Sequence, residues 1–427
     1  MATERGEQAV ELSQGRTRLA LLSLALGGFA IGSTEFVAMG LLPNIASDIF
    51  PALYSSNPEL ANAHTAWVIS AYALGVVVGA PTIAGLAGRW PQKQLLLVLL
   101  AVFTIGTLGA VVAPNFPLLL LARFVAALPH GAYFGIASLV AARLMGPEKR
   151  GRGIALVLGG LTIANVVGVP LITWLGQFAG WRIAYAAVAL LFALTFVAVA
   201  AFLPWRAGDS SATLRSQLRV FRHPQVWLAL LMGAVGFGGF FAVYSYIAPI
   251  VTDITGLSDA AVPVVLVCFG LGMTLGNFVG GALVDRSVRR SIYLFYGVLL
   301  FAIVVLAVAA QNPVWLIVGV VLTGAGSSAL GVGIQTRLLD VARDGQSLAA
   351  ALNHSALNIG NALGAALGGV VIAWGFGYRA PIWLAGALSV LGLLIAAWTF
   401  AVDRSQRRRG IQHSYVTGSF RAVRPPS

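Results

Sequence analysis

The chain has 427 residues, of which 58% are hydrophobic and only 10% are charged, and it carries a net charge of +13. Soluble domains carry about 25% charged residues, so this composition excludes a soluble globular protein and indicates one that crosses a membrane many times. The apolar runs are too long and too continuous for the alternating strands of a membrane β-barrel, which excludes that class. Because there is a single cysteine, Cys268, an internal disulfide is excluded.

Twelve apolar runs follow one another along the chain, each long enough to cross a bilayer core of about 30 Å as a helix. They predict helices over roughly residues 19–42, 65–87, 94–113, 117–142, 153–175, 181–203, 226–248, 262–284, 291–310, 314–336, 348–374 and 380–401. Lysine and arginine concentrate in alternate connections, whereas segments 42–64, 114–117, 249–261 and 311–313 contain neither. By the positive-inside rule, both termini are expected in the cytoplasm of a multi-pass protein of the inner or plasma membrane.

A basic connection near the middle of the chain separates six predicted helices from six more. We expect a cytoplasmic N-terminal arm at 1–18, a first bundle at 19–204, a central cytoplasmic loop at 205–224, a second bundle at 225–402 and a basic tail at 403–427. The arginines of the tail are expected to contact anionic lipids of the inner leaflet. The sequence shows no nucleic-acid-binding motif. The predicted fold class is an all-α integral membrane protein of two six-helix bundles.

Matching landmarks in the two halves indicate an internal repeat. The separation of 93 residues between Arg89 and Arg182 recurs between Arg286 and Arg379, and each pair joins the end of one helix to the start of another. Transporters are commonly built from such repeats, so the two bundles are expected to be pseudo-symmetric. The offset between the halves places apolar residues of the second half opposite the charges embedded in the first.

The first predicted helix carries one carboxylate, Glu35, and no other charge between Leu19 and Leu42. A charged side chain inside a bilayer costs on the order of 3 kcal/mol or more, so acids there usually face a partner or a water-filled cavity. Glu35 is therefore the candidate proton-binding site. The alternative is a carboxyl group that stays neutral in a contact between helices.

Arg123 is the one basic residue well inside a predicted helix. A rise of about 1.5 Å per residue puts Arg123 about 9 Å and Glu35 about 12 Å below the same membrane face, so their depths match. Arg123 either biases the protonation of Glu35 or acts as a static clamp on its helix. His130 lies on the same helix face as Arg123 and is either a proton relay or a packing residue.

Three further helices carry patterns suited to close packing or to substrate binding. In the fifth helix, Gly160, Ala164 and Gly168 recur every fourth residue, a spacing that lets a neighbouring helix approach closely, and Pro170 can bend the helix. The seventh helix is rich in aromatic residues, and the eleventh carries polar residues on one face. The aromatic residues either contact an apolar substrate or are core residues that face lipid: Phe237, Phe240, Phe241, Tyr244 and Tyr246. The polar residues contact either substrate or adjacent helices: His354, Asn358 and Asn361.

Five short stretches carry a family resemblance: Thr-Glu-Phe at 34–36, Gly-Leu-Leu-Pro at 40–43, Arg-Phe-Val-Ala-Ala-Leu-Pro-His-Gly at 123–131, Asn-Val-Val-Gly-Val-Pro at 165–170 and Gly-Trp-Arg at 180–182. With them the chain resembles the major facilitator superfamily, specifically the twelve-helix drug:proton antiporters that include chloramphenicol, sugar and nucleoside exporters. The resemblance implies a central cavity lined by the first and fourth helices, where Glu35 and Arg123 meet or share water.

The same resemblance implies gating roles outside the cavity. Gly160, Gly168 and Pro170 fall in the family's antiporter motif, which is expected to prevent leak. The family's cytoplasmic motif after the second helix is degenerate here, because Gly88 stands where the acid belongs beside Arg89. The equivalent motif after the eighth helix keeps Asp285 and Arg286, so a charge latch is expected there.

We therefore expect a monomeric secondary transporter that exports small amphipathic compounds, including chloramphenicol-type antibiotics, in exchange for protons. Glu35 and Arg123 are expected to couple proton movement to transport. Substrate contacts are expected from Phe36, His130, Tyr133, Asn165, Phe241, Tyr244, His354, Asn358 and Asn361. The sequence shows no catalytic set, metal-ligand spacing or phosphate-binding loop, so neither an enzyme nor a cofactor is expected. The alternatives are a sugar or nucleoside exporter and a non-transporting membrane sensor or assembly protein.

Overall fold

The computed structural model describes residues 13–87, 90–146, 149–205, 224–341 and 346–408. Within these ranges twelve helices are long and apolar enough to cross a membrane, and no strand is formed, which confirms the predicted fold class. We number them in chain order: α1 Gln14–Gly40, α2 Pro58–Ala80, α3 Gln92–Val112, α4 Phe116–Met145, α5 Arg152–Ala179, α6 Trp181–Phe202, α7 Pro224–Tyr244, α8 Ala261–Val284, α9 Val288–Ala309, α10 Pro313–Val341, α11 Leu352–Phe376 and α12 Ala380–Ser405.

Because twelve antiparallel helices return the chain to the side on which it started, α1 begins and α12 ends at one face, which we call the terminal face. The opposite, distal face carries the connection between α1 and α2, which forms two short helices, Leu42–Ile49 and Pro51–Ser56. Both short helices have proline in the first turn, where the helix needs no N–H donor. They cover the distal end of the first bundle.

Most of the N-terminal arm, the central loop and the basic tail expected from the sequence lie outside the described residues, as does Arg89. At the two ends of the described chain, α1 already begins at Gln14 and α12 continues to Ser405.

The two halves repeat their helix contacts at a constant offset of 197 residues. In the first half, glycines of α2 press against backbone carbonyls of α4, and in the second half glycines of α8 press against carbonyls of α10. A Cβ at any of these glycines would overlap the facing oxygen, so only glycine permits the approach. The matched pairs are Gly75 with Phe124, Gly79 with Leu128, Gly272 with Val321 and Gly276 with Ala325.

The turns before α6 and α12 also match at this offset. Gly180 has φ of +97° and Gly377 has φ of +68°, values that a side chain disfavours. Each glycine is followed by an aromatic residue and an arginine. The repeated Gly-aromatic-Arg sequence therefore marks the same turn in both bundles.

One arginine lies just beyond the predicted helix 314–336, which placed it in a basic connection, but the structure places it inside a helix. Arg337 belongs to α10 and is 4% exposed. Its guanidinium donates to Gln225 Oε1 at 3.1 Å and pairs with Asp403 Oδ2 at 3.5 Å. Partners on α7 and α12 thus compensate the burial of this charge, which a count of basic residues cannot detect.

Candidate functional site

A central cavity of about 210 Å³ lies between the two bundles. Residues of α1, α4 and α5 line it from the first bundle, and residues of α7, α8, α10 and α11 line it from the second. It reaches from Glu35, near the distal end of α1, to Asn353, near the terminal-face end of α11. A cavity with walls from both bundles changes shape whenever one bundle moves against the other.

Glu35 is one of the residues that line this cavity, although it is only 3% exposed. Its Oε1 atom is buried and has no hydrogen-bond partner among the residues that the structure describes. A buried carboxyl group without a partner is costly, and the cost falls when the group binds a proton or a ligand. Glu35 is therefore placed where protonation and substrate occupancy can influence each other.

Aromatic rings close the cavity on its distal side, next to Glu35. The Phe36 ring stacks on Phe241 with centroids 6.4 Å apart and meets Tyr244 edge-on at 5.5 Å. Behind them, Tyr244 also packs against Phe240 and Phe269 at 5.3 Å and 4.7 Å. Because Phe36 belongs to the first bundle and the other rings to the second, this aromatic layer joins the two bundles.

Arg123, on α4, is bound to Thr34, the residue that precedes Glu35 on α1. Its Nη1 donates to Thr34 Oγ1 at 3.1 Å, and its Nη2 donates to Thr34 O at 2.9 Å. The guanidinium also lies over the rings of Tyr72 and Tyr185, 4.3 Å and 5.3 Å from their centroids. Arg123 therefore fixes the helical turn that carries Glu35, with α2, α4 and α6 all contributing to the contact.

The polar contacts continue from Arg123 to the far wall of the cavity. Tyr72 Oη lies 3.3 Å from His130 Nδ1, and the His130 ring lies 6.0 Å from the ring of His354. Phe134 stacks on His354 at 5.5 Å. His130 and His354 both line the cavity, one from each bundle. The rings of Tyr72, His130 and His354 thus follow one another from Arg123 to α11.

The glycines predicted in the fifth helix pack against α1. A Cβ on Gly160 would overlap Ala25 O and Phe29 N, and a Cβ on Gly168 would overlap Ser33 Oγ. Residues Ala164–Gly168 form a wider π-turn just before Pro170, whose missing N–H cannot bond to the preceding turn. This π-turn carries Asn165, which lines the cavity.

The remaining expected contact residues divide into two groups. Phe36, His130, Asn165, Phe241, His354 and Asn358 line the cavity. Tyr133 instead donates to Leu24 O at 2.9 Å and fastens α4 to α1. Tyr244 lies in the aromatic layer, and Asn361 is fully buried away from the lining. The structure therefore does not bring these last three to the cavity wall.

Several residues that line the cavity were not predicted from the sequence. They are Leu158, Leu161, Thr162, Met273, Asn277, Ser327, Ser328, Gly331, Val332 and Leu357. Of these, Asn277 carried a signal, because it is the one amide in an otherwise apolar helix, as Glu35 is the one acid in α1. The serines and aliphatic residues are too common in membrane helices to be singled out by type.

Asp285 and Arg286 lie at the terminal-face end of α8 and are both exposed. Neither of them takes part in an ion pair with any residue of the described ranges. The latch expected there remains a prediction. The same ranges contain no group of three side chains placed to ligate a metal ion.

Comparisons with known proteins agree with this architecture. The family model of the Major Facilitator Superfamily matches residues 24–258 and again residues 230–424. The inner membrane transport protein YdhP of Escherichia coli (strain K12) is 37% identical over 375 residues, which cover 88% of this chain and 94% of that protein.

Two further relatives have names that state a function. A chloramphenicol resistance protein of Streptomyces lividans is 35% identical and aligns with 88% of this chain and 95% of its own length. A probable sugar efflux transporter of Pasteurella multocida (strain Pm70) is 29% identical, with 88% of this chain and 90% of that protein covered.

Solved structures show the same fold at low sequence identity. A D-xylose-proton symporter superposes with a TM-score of 0.69 at 16% identity, covering 89% of this chain and 97% of its own. A bacterial homologue of the human lysosomal transporter Spinster superposes with a TM-score of 0.67, covering 93% of this chain and 99% of its own. The chain therefore belongs to the Major Facilitator Superfamily, and it is a multi-pass membrane transporter and not an enzyme.

Proposed function

We propose that the protein exports small amphipathic compounds in exchange for protons and that Glu35 is the proton-binding group. One observation carries this proposal: the Glu35 carboxyl group, buried in a membrane helix, lines the central cavity that both bundles enclose. A proton and a substrate can then compete for the same space. Coupling requires that binding of one ligand change the affinity for the other, and a side chain that faces both provides such an effect.

The proposed cycle follows from the way the cavity is closed. With the aromatic layer in place, the cavity extends from Glu35 toward the terminal face, which we assign to the cytoplasm from the distribution of basic residues. Substrate enters from that side. Separation of Phe36 from Phe241 and Tyr244 then exposes Glu35 to the outside, where it takes up a proton as the substrate leaves. The proton is released after the cavity faces the cytoplasm again.

Arg123 serves this cycle as a positioning residue. Its two hydrogen bonds to Thr34 and its position over Tyr72 keep the Glu35 turn of α1 in register with the cavity. The positive charge nearby also influences how readily Glu35 gives up its proton.

The residues that line the cavity suit a substrate that has both apolar and hydrogen-bonding parts. Phe237, Phe240 and Phe241 offer an apolar wall, while Asn165 and Asn358 offer amide groups. No lysine or arginine lines the cavity in the part of the chain that is described, so an anionic compound would lack a partner. A neutral antibiotic of the chloramphenicol kind fits this pattern, and one relative is named a chloramphenicol resistance protein.

A sugar or nucleoside exporter is the second candidate, because Gln335, Asn353, His354 and Asn358 form a polar wall on the second bundle. Such a wall suits a ligand with many hydroxyl groups. A competition panel of drugs, sugars and nucleosides against export of labelled chloramphenicol separates the two candidates.

The direct test uses purified protein in proteoliposomes with an imposed pH gradient and labelled chloramphenicol. We expect gradient-driven export by the parent protein and loss of that dependence in Glu35→Gln, which cannot release a proton. Glu59→Gln, at the distal start of α2 and outside the cavity lining, is the matched control and should behave as the parent does.

A Glu35→Gln protein that still exports at the parental rate and still needs the gradient would remove Glu35 from the coupling mechanism. Binding of chloramphenicol without any flux by the parent protein would instead favour a membrane sensor or assembly protein built on the transporter fold.

A further inference from the structure

Two hydrogen bonds at the distal face join the bundles at positions that the internal repeat relates. Asn62, near the start of α2, bonds to Tyr378, in the turn before α12. Gln177, near the end of α5, donates from Nε2 to Asp259 O, in the turn before α8, at 3.0 Å. Asn62 and Asp259 are separated by the offset that relates the two halves. Each bundle therefore contacts the other through its own copy of one position.

The two contacts differ in their exposure to water. Asn62 and Tyr378 are 2% and 6% exposed, and the amide and the hydroxyl group lie 2.6 Å apart, in a hydrogen bond in which either group can be the donor. Asp259 is exposed and Gln177 is partly exposed. An exposed hydrogen bond exchanges readily for bonds to water and contributes little, whereas a buried one is costly to lose.

The starts of the two helices explain this difference. Asn57 caps α2, because its Oδ1 accepts a hydrogen bond from Leu60 N at 2.9 Å. Asn62 therefore lies inside the helix, where neighbouring side chains can cover it. Helix α8 begins only at Ala261, so Asp259 lies in the turn ahead of it.

The face of α2 that carries Asn62 packs against glycines of the second bundle. Glu59, Asn62 and Ala63 share this face, because they are three and four residues apart. A Cβ on Gly369 would lie 3.0 Å from Ala63 O, and a Cβ on Gly377 would lie 3.7 Å from Glu59 Oε1. This close approach accounts for the burial of the hydrogen bond at Asn62.

The turn that carries Tyr378 has a different kind of partner in the first half. There the equivalent Trp181 donates from Nε1 to Asp48 Oδ2 at 3.1 Å, and Arg182 pairs with the same carboxylate. All three of these residues belong to the first bundle. The turn before α6 is therefore bound within its own bundle, whereas the turn before α12 is bound to the other one.

We infer that the hydrogen bond between Asn62 and Tyr378, which we call the distal lock, holds the distal face closed, and that the contact of Gln177 with Asp259 does not. Opening exposes both side chains of the distal lock to water, which replaces their bond. Loss of the Tyr378 hydroxyl group therefore destabilises only the closed state, where Asn62 stays buried. This inference rests on the proposed alternating-access function and names the contact that sets how often the distal face opens.

The rate at which a thiol reagent reaches Ser70→Cys measures distal opening. Ser70 is 1% exposed, lies outside the cavity lining and donates to Ala362 O across the bundles, so separation of the bundles exposes it. The full-length protein also carries Cys268→Ser and is labelled in nanodiscs with a water-soluble maleimide. Tyr378→Phe should raise the labelling rate about five- to tenfold, and Gln177→Ala should raise it by less than about twofold.

A double-mutant cycle tests whether the effect belongs to this one bond. Asn62→Ala should raise the labelling rate about as much as Tyr378→Phe does, and the two substitutions together should have no larger effect than either alone. Effects that multiply would overturn the distal lock. An unchanged rate in Tyr378→Phe, or an equal rise in Gln177→Ala, would also overturn it.

A cysteine buried within one bundle is the matched control. Thr195→Cys, on α6, replaces a fully buried residue, and its labelling rate should not respond to Tyr378→Phe. A parallel rise at this position would show that Tyr378→Phe loosens the whole protein, and it would overturn the distal lock. Labelling needs neither a proton gradient nor a substrate, so its outcome is independent of whether Glu35 couples protons to export.

Discussion

At the scale of single residues, Glu35 and Arg123 have different roles inside the first bundle. Glu35 lines the cavity with an oxygen that has no hydrogen-bond partner in the described ranges, whereas Arg123 is 1% exposed and donates its hydrogen bonds to Thr34. A guanidinium is planar and presents a fixed fork of donors, which suits simultaneous bonds to a hydroxyl and a carbonyl group. The same plane can lie over an aromatic ring, as it does over Tyr72. A point charge of the same sign cannot reproduce this set of contacts.

We therefore expect Arg123→Lys to destabilise the protein although the charge is kept. Loss of one charge-assisted hydrogen bond in a buried site should lower the free energy of unfolding by about 1.5–3 kcal/mol. Thermal unfolding in nanodiscs measures the change. Arg182→Lys is the control, because Arg182 pairs with Asp48 at a partly exposed site and should change stability by less than about 1 kcal/mol. Equal effects at the two positions would show that Arg123 does not clamp α1.

At the scale of helices, α5 is the element whose local sequence shapes the site most directly. Its small residues let it approach α1 until backbone meets backbone, at Gly160 against Ala25 and Phe29. Further along, the π-turn Ala164–Gly168 presents Asn165 to the cavity and meets α8 of the other bundle, where Gly270 faces Asn165 O. One helix thus combines close packing within its bundle and contact across the interface.

Neighbouring glycines of α5 provide a matched test of this packing. A Cβ at Gly160 would overlap backbone atoms of α1, whereas a Cβ at Gly159 would meet no atom within 4 Å. Gly160→Ala should therefore lower the free energy of unfolding by about 1–3 kcal/mol, since the backbone must move. Gly159→Ala should leave stability unchanged or raise it by up to about 1 kcal/mol, because alanine favours the helix. Thermal unfolding of the two purified variants measures these changes. Similar losses of stability in both variants would contradict the close approach of α1 and α5.

At the scale of the whole molecule, the distal face is joined across the two bundles by contacts of several kinds. The aromatic layer around Phe36 is one of them. Hydrogen bonds are another, and they connect Asn62 to Tyr378, Ser70 to Ala362 and Gln177 to Asp259 O. All of these contacts must break if the cavity is to open on the distal side. The structure accordingly represents one end of the proposed transport cycle.

Cross-linking α2 to α11 tests whether this face opens during transport. In a background in which the single native cysteine is replaced, Cys268→Ser, we introduce Ser70→Cys and Ala362→Cys, whose parent residues are in contact. A short, cleavable bifunctional thiol reagent should abolish export, and its reduction should restore it, because the linked bundles cannot separate. Export is measured in proteoliposomes.

The control pair for this experiment lies within the first bundle. Gly109→Cys and Ala122→Cys connect α3 to α4, where a Cβ on Gly109 would be 3.3 Å from the Ala122 Cβ. Linking these helices should leave export largely intact, since they move as one body. Full export after cross-linking of Ser70→Cys to Ala362→Cys would contradict the alternating-access proposal.

The amino-acid sequence by itself determined the membrane architecture and the most unusual residues. A run of apolar residues long enough to span a bilayer is a local property, so all twelve helices could be predicted without knowledge of their partners. The repeat offset could be read from landmarks such as Gly180 and Gly377. Glu35 and Arg123 were identifiable because a charge in an apolar helix is costly and therefore conspicuous.

Only the tertiary structure decided how the helices are rotated and which side chains meet. A helical period shows which residues share a face, but the partner of that face depends on packing among all twelve helices. For this reason Tyr133 faces α1, Asn361 is buried outside the cavity, Asn277 lines it, and Arg337 lies buried between Gln225 and Asp403. The contact of Arg123 with Thr34 also depends on the tertiary structure, because it joins residues 89 positions apart in the chain.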